Sequence, residues 1–235
     1  MAKYVFADII VEINNRFDYI PEQCKDYAYN GNEPAQISIS VTDKEIENEF
    51  LGDDKNFSKG YIESICAYRK IAQKLPEFDA FVMHGAVFNL YDKGIAFLAS
   101  SGTGKTTHLV FWKKMFKKSL TIINGDKPII RFIDGVPYAY GTPWAGKEGL
   151  NTNARTVLTD LCFIERANHD EVVPLPNVLA PILLLKQIYR PSDPVEVDKT
   201  YALADKLLKF CNLRIIKCTK SPNAAETAYK AIFNK

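Results

Sequence analysis

Residues 94–107 read Gly-Ile-Ala-Phe-Leu-Ala-Ser-Ser-Gly-Thr-Gly-Lys-Thr-Thr. An apolar strand pattern runs into a loop of small residues. Gly-Lys-Thr then opens a helical pattern to residue 117, with Leu109, Trp112 and Phe116 facing inward. Glycine at 102 and 104 can take backbone angles closed to other residues, so that successive N–H groups turn around a phosphate. The helix start adds unpaired N–H groups and a positive dipole end. Lys105 can reach β- and γ-phosphate oxygens, and the Thr106 hydroxyl can bind Mg²⁺. The pattern G-x-x-x-x-G-K-[ST] is met except that Ala99 stands at its first position. Ser101, Gly102, Thr103, Gly104, Lys105, Thr106 and Thr107 are therefore the expected nucleotide-binding residues.

Upstream, residues 80–91 and 94–99 predict two strands joined at Asp92-Lys93-Gly94. Downstream, strand patterns recur at 119–124, 128–133, 136–140 and 157–164. The C-terminal third predicts helices at 177–189, 196–210 and 222–233 and a strand at 213–218. The first 78 residues form a separate small α/β pattern. Strands are expected at 4–13 and 36–42, with a turn at Asn30-Gly31-Asn32 between them. A helix is expected from Ser58 to Leu75, with Ile62, Ile65, Tyr68 and Ile71 on one face and Pro76 ending it. No linker composition separates this segment from the rest. The expected organisation is residues 1–78 packed on a nucleotide-binding catalytic core at 79–235.

The composition fits that picture: 235 residues, 47% hydrophobic and 25% charged, can build a sizeable core. A net charge of +2 gives no basic field for nucleic acid. No run approaches the roughly 20 apolar residues of a membrane helix, and the N-terminus lacks a secretory signal pattern. Five cysteines without C-x-x-C spacing argue against disulfides or structural zinc and for reduced thiols, so a cytoplasmic location is expected. The lysines at 113, 114, 117 and 118 read as a solvated helix end.

Single residues carry two readings each. Asn124-Gly125 is a hairpin signal, so Asp126 either flanks a turn or ends a strand beside the loop. At a strand end it could hold Mg²⁺ or accept the proton of an attacking hydroxyl. His84 is either a core histidine bonded to backbone or a residue on the neighbouring strand that orients Asp126. Lys147 is either an exposed loop lysine or a cation that neutralises transition-state charge. Trp144 packs or stacks on substrate. His108 and His169 read as structural.

The segment 100–107 resembles the phosphate loop of the phosphoenolpyruvate carboxykinases. With Met83-His84-Gly85-Ala86-Val87 ahead of it, the layout resembles the catalytic domain of HPr kinase/phosphorylase. Asn124-Gly125-Asp126-Lys127 stands where those families carry paired aspartates. Residues 141–147, Gly-Thr-Pro-Trp-Ala-Gly-Lys, resemble a loop of smaller HPr-kinase-like proteins, some of which phosphorylate peptide precursors. The resemblance implies an α/β fold of the phosphoenolpyruvate carboxykinase-like P-loop type, with mixed β-sheets flanked by helices. It also implies His84, Asp126 and Lys147 as catalytic residues, and Thr106 and Asp126 as metal ligands. The family arginine has no clear counterpart, with Arg131 and Arg155 as candidates.

Together these readings lead to the expectation of an ATP- and Mg²⁺-dependent kinase of the HPr-kinase-like group. It would transfer the γ-phosphoryl group to a hydroxyl, expected to be a serine, of a peptide, protein or small molecule. The partners expected are ATP and that acceptor, with no nucleic acid and no membrane; homo-oligomerisation stays open. The rival reading is a non-catalytic ATP-binding module that recruits a partner.

Overall fold

The computed structural model describes residues 2–49 and 57–233. Its N-terminal part begins with a hairpin of β1 (Ala2–Phe6) and β2 (Ile9–Asn14), with Tyr4 opposite Val11. The turn between them is Ala7-Asp8, both at positive φ (52° and 59°). Two such residues match the twist of a tight hairpin. The single strand expected over 4–13 is thereby two. β3 (Ile37–Ser40) adds in parallel to β2. Three helices accompany this sheet: α1 (Tyr19–Gln23), α2 (Asp43–Glu49) and α3 (Lys59–Lys74). α3 starts where the Ser58 hydroxyl accepts from the Tyr61 N–H at 3.2 Å, and it buries Ile62, Tyr68 and Ile71.

The remaining chain builds a curled mixed sheet between helices. Its elements begin with β4 (Ala80–Val82), β5 (Ala86–Leu90), β6 (Lys93–Leu98) and α4 (Lys105–Phe116). Then come β7 (Leu120–Asn124), β8 (Ile129–Ile133), β9 (Val136–Tyr140), β10 (Arg155–Arg166) and β11 (Glu171–Pro174). α5 (Ala180–Leu185), α6 (Pro194–Phe210), β12 (Asn212–Cys218) and α7 (Pro222–Phe233) complete it. The strand order is β4-β8-β9-β10-β6-β5-β7, with β12 also on β10 and β11 on β12. β10 makes the curl: its first residues pair antiparallel with β9, and the rest run parallel to β6 and β12. Along β6, Ile95 and Phe97 pack with Trp112 of α4 and Ile232 of α7, while Ala96 and Leu98 pack with Leu184 of α5 and Leu207 of α6. Burial on both faces is why this strand reads as an unbroken apolar run.

Three expectations are corrected here. The strand expected over 80–91 is interrupted at Met83-His84-Gly85, where the chain leaves β4, paired with β8, and enters β5, paired with β6 and β7; a Cβ at Gly85 would sit 2.5 Å from the Leu98 side chain. His84 therefore lies in a crossover between strands, not on one. The helix expected over 177–189 shrinks to α5. Beyond it, the Tyr189 N–H donates to the Val82 carbonyl (2.9 Å) and the Gln187 carbonyl accepts from the His84 N–H (2.6 Å), so this backbone pairs with the end of β4. Asn124-Gly125 makes no hairpin: β7 pairs with β5, and β8 with β4 and β9.

The N-terminal layer and the main sheet share one apolar cluster, in which Phe6, Ile13 and Ile71 meet Val82, Ile129 and Trp144. All five cysteines are free and buried, and burial pushes the Cys24 and Cys162 thiols up to about 12. No helix of the described residues is long and apolar enough to cross a membrane.

Candidate functional site

The glycine loop leaves the buried end of β6 and enters α4 at Lys105. Gly102 (φ 75°) and Gly104 (φ 123°) both have open space where a Cβ would go, so their backbone angles, not crowding, call for glycine. Gly104 takes the N-cap position, and no side chain caps the first turn of α4. Arg166, the last residue of the adjacent β10, holds the loop from outside. Its guanidinium donates to the Thr103 carbonyl at 3.1 Å and to the Gly102 carbonyl. Because a peptide is planar and trans, the Gly104 N–H points away from the Thr103 carbonyl that Arg166 holds.

The Lys105 side chain turns back under the loop and is buried. Its ammonium donates to the Ala99 carbonyl at 2.7 Å and lies 3.3 Å from His84 Nε2. The same ring nitrogen lies 3.2 Å from Asp126 Oδ1, and Lys127 Nζ is 3.6 Å from the other carboxylate oxygen. His84 Nε2 can accept from Lys105 or, protonated, donate to Asp126, so a proton at this atom decides which neighbour it serves. Burial lowers the Lys105 pKa, opposed by the Asp126 charge. Burial alone would raise the Asp126 carboxyl, but the His84 hydrogen bond, Lys127 and Lys105 outweigh it and hold the group below its ordinary value. The result is an ionised, half-exposed carboxylate beside the loop.

Asp126 is fixed through its backbone. Asn124 Oδ1 accepts from the N–H groups of Asp126 (2.8 Å) and Lys127 (2.7 Å), while Asn124 Nδ2 donates to the carbonyl and hydroxyl oxygens of Thr142, both at 3.0 Å. The Asp126 carbonyl accepts from Gly85 N–H at 3.0 Å, which ties the two crossovers together. The loop at 141–147 closes the far side: Gly146 (φ 74°) sits so that a Cβ there would lie 3.1 Å from Asp126 Cβ.

Of the residues singled out from sequence, His84, Lys105 and Asp126 converge. Thr106 follows Lys105 and is half-buried; Ser101 and Thr107 are exposed. Gly102, Thr103 and Gly104 form the loop that Arg166 holds. Lys147 is exposed, one residue beyond Gly146. Trp144 is buried, so it packs and presents no stacking face. His108 is buried with its Nε2 accepting from Trp112 Nε1 at 3.2 Å. Arg131 and Arg155 are not at this site: they bind the Ala7 carbonyl (2.7 Å) and the Asp8 carboxylate (2.9 Å) of the N-terminal hairpin.

Sequence reasoning missed Arg166, Gln187, Asn124 and Thr142. Gln187, with its amide turned to suit its neighbours, donates to the Ala99 carbonyl (3.1 Å) and the His84 carbonyl (3.3 Å). Only for Asn124 was there a local signal, a side-chain acceptor two residues before Asp126. Among the described residues no group of three or more His, Cys, Asp or Glu can hold a metal by itself. The Asp126 carboxylate and the Thr106 hydroxyl are oxygen ligands of the kind Mg²⁺ takes, one or two from protein with the rest of its shell from other oxygens.

No known family model matches the sequence, and no curated protein is similar to it. Among solved structures, the chain is similar to the HPr(Ser) kinase/phosphatase from Coxiella burnetii. That likeness has 10% identity and a TM-score of 0.31, over 54% of this chain and 90% of the other.

Proposed function

We propose that this chain is a kinase that binds ATP through the loop at 99–107 and transfers the γ-phosphoryl group to a hydroxyl, in the manner of the HPr-kinase-like group. The observation that supports it is the Lys105–His84–Asp126 line, with separations of 3.3 and 3.2 Å, drawn from three distant chain segments to the mouth of a glycine loop. Lys105 and the Gly104 N–H hold the β- and γ-phosphates. Thr106 and Asp126 are the residues that would hold Mg²⁺, which when bound neutralises charge on the phosphate oxygens. Asp126, oriented by His84, takes the acceptor's proton as its oxygen bonds to the γ-phosphorus. The bond from phosphorus to the bridging oxygen breaks, and ADP leaves with the electron pair. Lys127 and Lys147 supply positive charge near the developing negative charge. Such chemistry is mostly positioning and electrostatics, so few groups are needed.

Calorimetry with ATP and Mg²⁺ tests the binding half. Lys105→Ala should weaken affinity by about 100-fold, since a charged contact to the triphosphate is lost; unchanged affinity would remove the basis for the reading. Single-turnover assays with labelled ATP and a serine-bearing peptide test the transfer half. ATP bound but never consumed with any acceptor would favour the recruitment module.

A further inference from the structure

We infer that the N-terminal layer is a working part of the transfer site, with Ser64, Gln23 and Trp144 as positioning residues that set the loop cradling Asp126. The inference rests on the reading of Asp126 given above. Trp144 Nε1 donates to Ser64 Oγ at 3.0 Å, Ser64 Oγ donates to Gln23 Oε1 at 2.5 Å, and Gln23 Nε2 donates to the Pro143 carbonyl at 3.2 Å. These three bonds close a ring between α1, α3 and the loop. The indole is wedged between Phe6 and Tyr68, at centroid separations of 5.2 and 5.3 Å. The far end of the loop is gripped by the same layer: Asn151 Nδ2 donates to Tyr27 OH (2.9 Å) and Asn153 Nδ2 to the Asp26 carbonyl (2.7 Å).

Beside and between those two grips lie the atoms that hold the Asp126 turn. Thr142 Oγ1 donates to the Lys127 carbonyl at 2.8 Å, Leu150 O accepts from the Gly125 N–H at 2.7 Å, and Gly146 backs onto the Asp126 side chain. The path thus runs from α3 to the loop and from the loop to the carboxylate, with no gap in contact. Ser64 is fully buried, so its hydroxyl has no water to replace a lost partner. Tyr68, on the same helix, stays a neutral phenol, its pKa raised by burial and further by the Asp126 charge. A displacement of about 1 Å at a reacting group costs on the order of 100-fold in rate, so a layer remote from the phosphates can still govern transfer.

The test uses the full chain with Ser64→Ala, Trp144→Phe and the milder Gln23→Ala, which spares the core. Thr156→Val is the control: it deletes a comparable side-chain bond, Asn89 Nδ2 to Thr156 Oγ1 at 2.8 Å, at the end of β6 away from the glycine loop. With labelled ATP, Mg²⁺ and a serine-bearing peptide, each of the three variants should lose about tenfold in kcat or more, with ATP affinity within about threefold. Ser64→Ala combined with Trp144→Phe should cost less than the sum of the two single losses, because both delete the bond the two residues share. The control should lose Tm but keep kcat. Variants that fold with wild-type kcat, or a control that falls equally, would overturn the inference. Hydrogen exchange at the Gly125 and Gly141 amides is the second readout and needs no transfer. Protection should drop by about tenfold in Ser64→Ala and not in the control; unchanged protection would overturn the coupling. If the wild type transfers nothing, the kinase reading falls, and the exchange arm alone decides whether the layer sets the loop.

Discussion

One imidazole nitrogen stands between the loop lysine and the carboxylate, and the roles proposed for His84 and Asp126 follow from that position. Asp126→Asn keeps the shape and removes the charge. It should reduce single-turnover transfer by about 1,000-fold, as loss of a positioned base does, while ATP affinity stays within about tenfold. His84→Gln retains a hydrogen-bonding side chain and should slow transfer less. Wild-type rates in Asp126→Asn would return the residue to a purely structural part in its turn. Arg166 acts on the loop from the opposite side. Arg166→Gln should weaken ATP binding by about tenfold, by releasing two carbonyls that orient the loop; calorimetry measures it. Asp126 could be singled out from sequence because its neighbours are informative within a few positions. Arg166 could not, since it reaches the loop only through the parallel register of β10 beside β6, a relation between residues some sixty positions apart.

At the scale of elements, the legible pieces are those whose signal is local. α3 carries its cap at Ser58 and a periodic apolar face, and α7 spans the expected 222–233. The illegible ones are decided by partners elsewhere in the chain. Nothing near residue 84 announces that the chain will change partners there, from β8 to β6 and β7, and nothing near 187 announces that β4 will claim that backbone. β11 is four half-exposed or exposed residues ending in proline, too short to register as a strand. The start of α2 offers a measurable case. Glu45 accepts from the Thr42 N–H at 2.8 Å and pairs with Lys70, which also donates to the Ser40 carbonyl of β3 at 2.7 Å. The Lys70 hydrogen bond, then the Thr42 N–H, lower the Glu45 carboxyl to about 2. A depressed carboxyl contributes stability that is full above its ordinary value and fades as pH falls toward the folded one. Stability should therefore drop between pH of about 4.5 and about 2 in the wild type, and less so in Glu45→Gln. The pair is partly exposed and screened, so its share is below about 1 kcal/mol; denaturant titrations across that window measure the difference.

For the whole molecule, the governing fact is a core that crosses the expected boundary at residue 78. Phe6 and Ile71 lie in the same cluster as Val82 and Trp144. Around it, Arg131 and Arg155 anchor the hairpin turn at 7–8. Removing the N-terminal layer would expose that face to water, at a cost set by the apolar area uncovered. Limited proteolysis should accordingly fail to release a stable 79–235 fragment, and a cut near 74–80 that leaves a folded, ATP-binding core would contradict this. The mixed α/β character was legible from the alternation of strand and helix patterns. The curl was not, because β10 changes partner and direction of pairing along its own length.

All five cysteines are buried, which shields them from thiol reagents. Cys24 and Cys162 sit near 12, and Cys66, Cys211 and Cys218 are also raised by burial, so few thiolates form at neutral pH. A single new cysteine on the exposed stretch after Gly146, such as Glu148→Cys, should then react with a maleimide faster than the five natural ones, which stay in place. A dye attached there would ride on the loop that borders Asp126, so a change in its fluorescence on adding ATP would report movement of that loop.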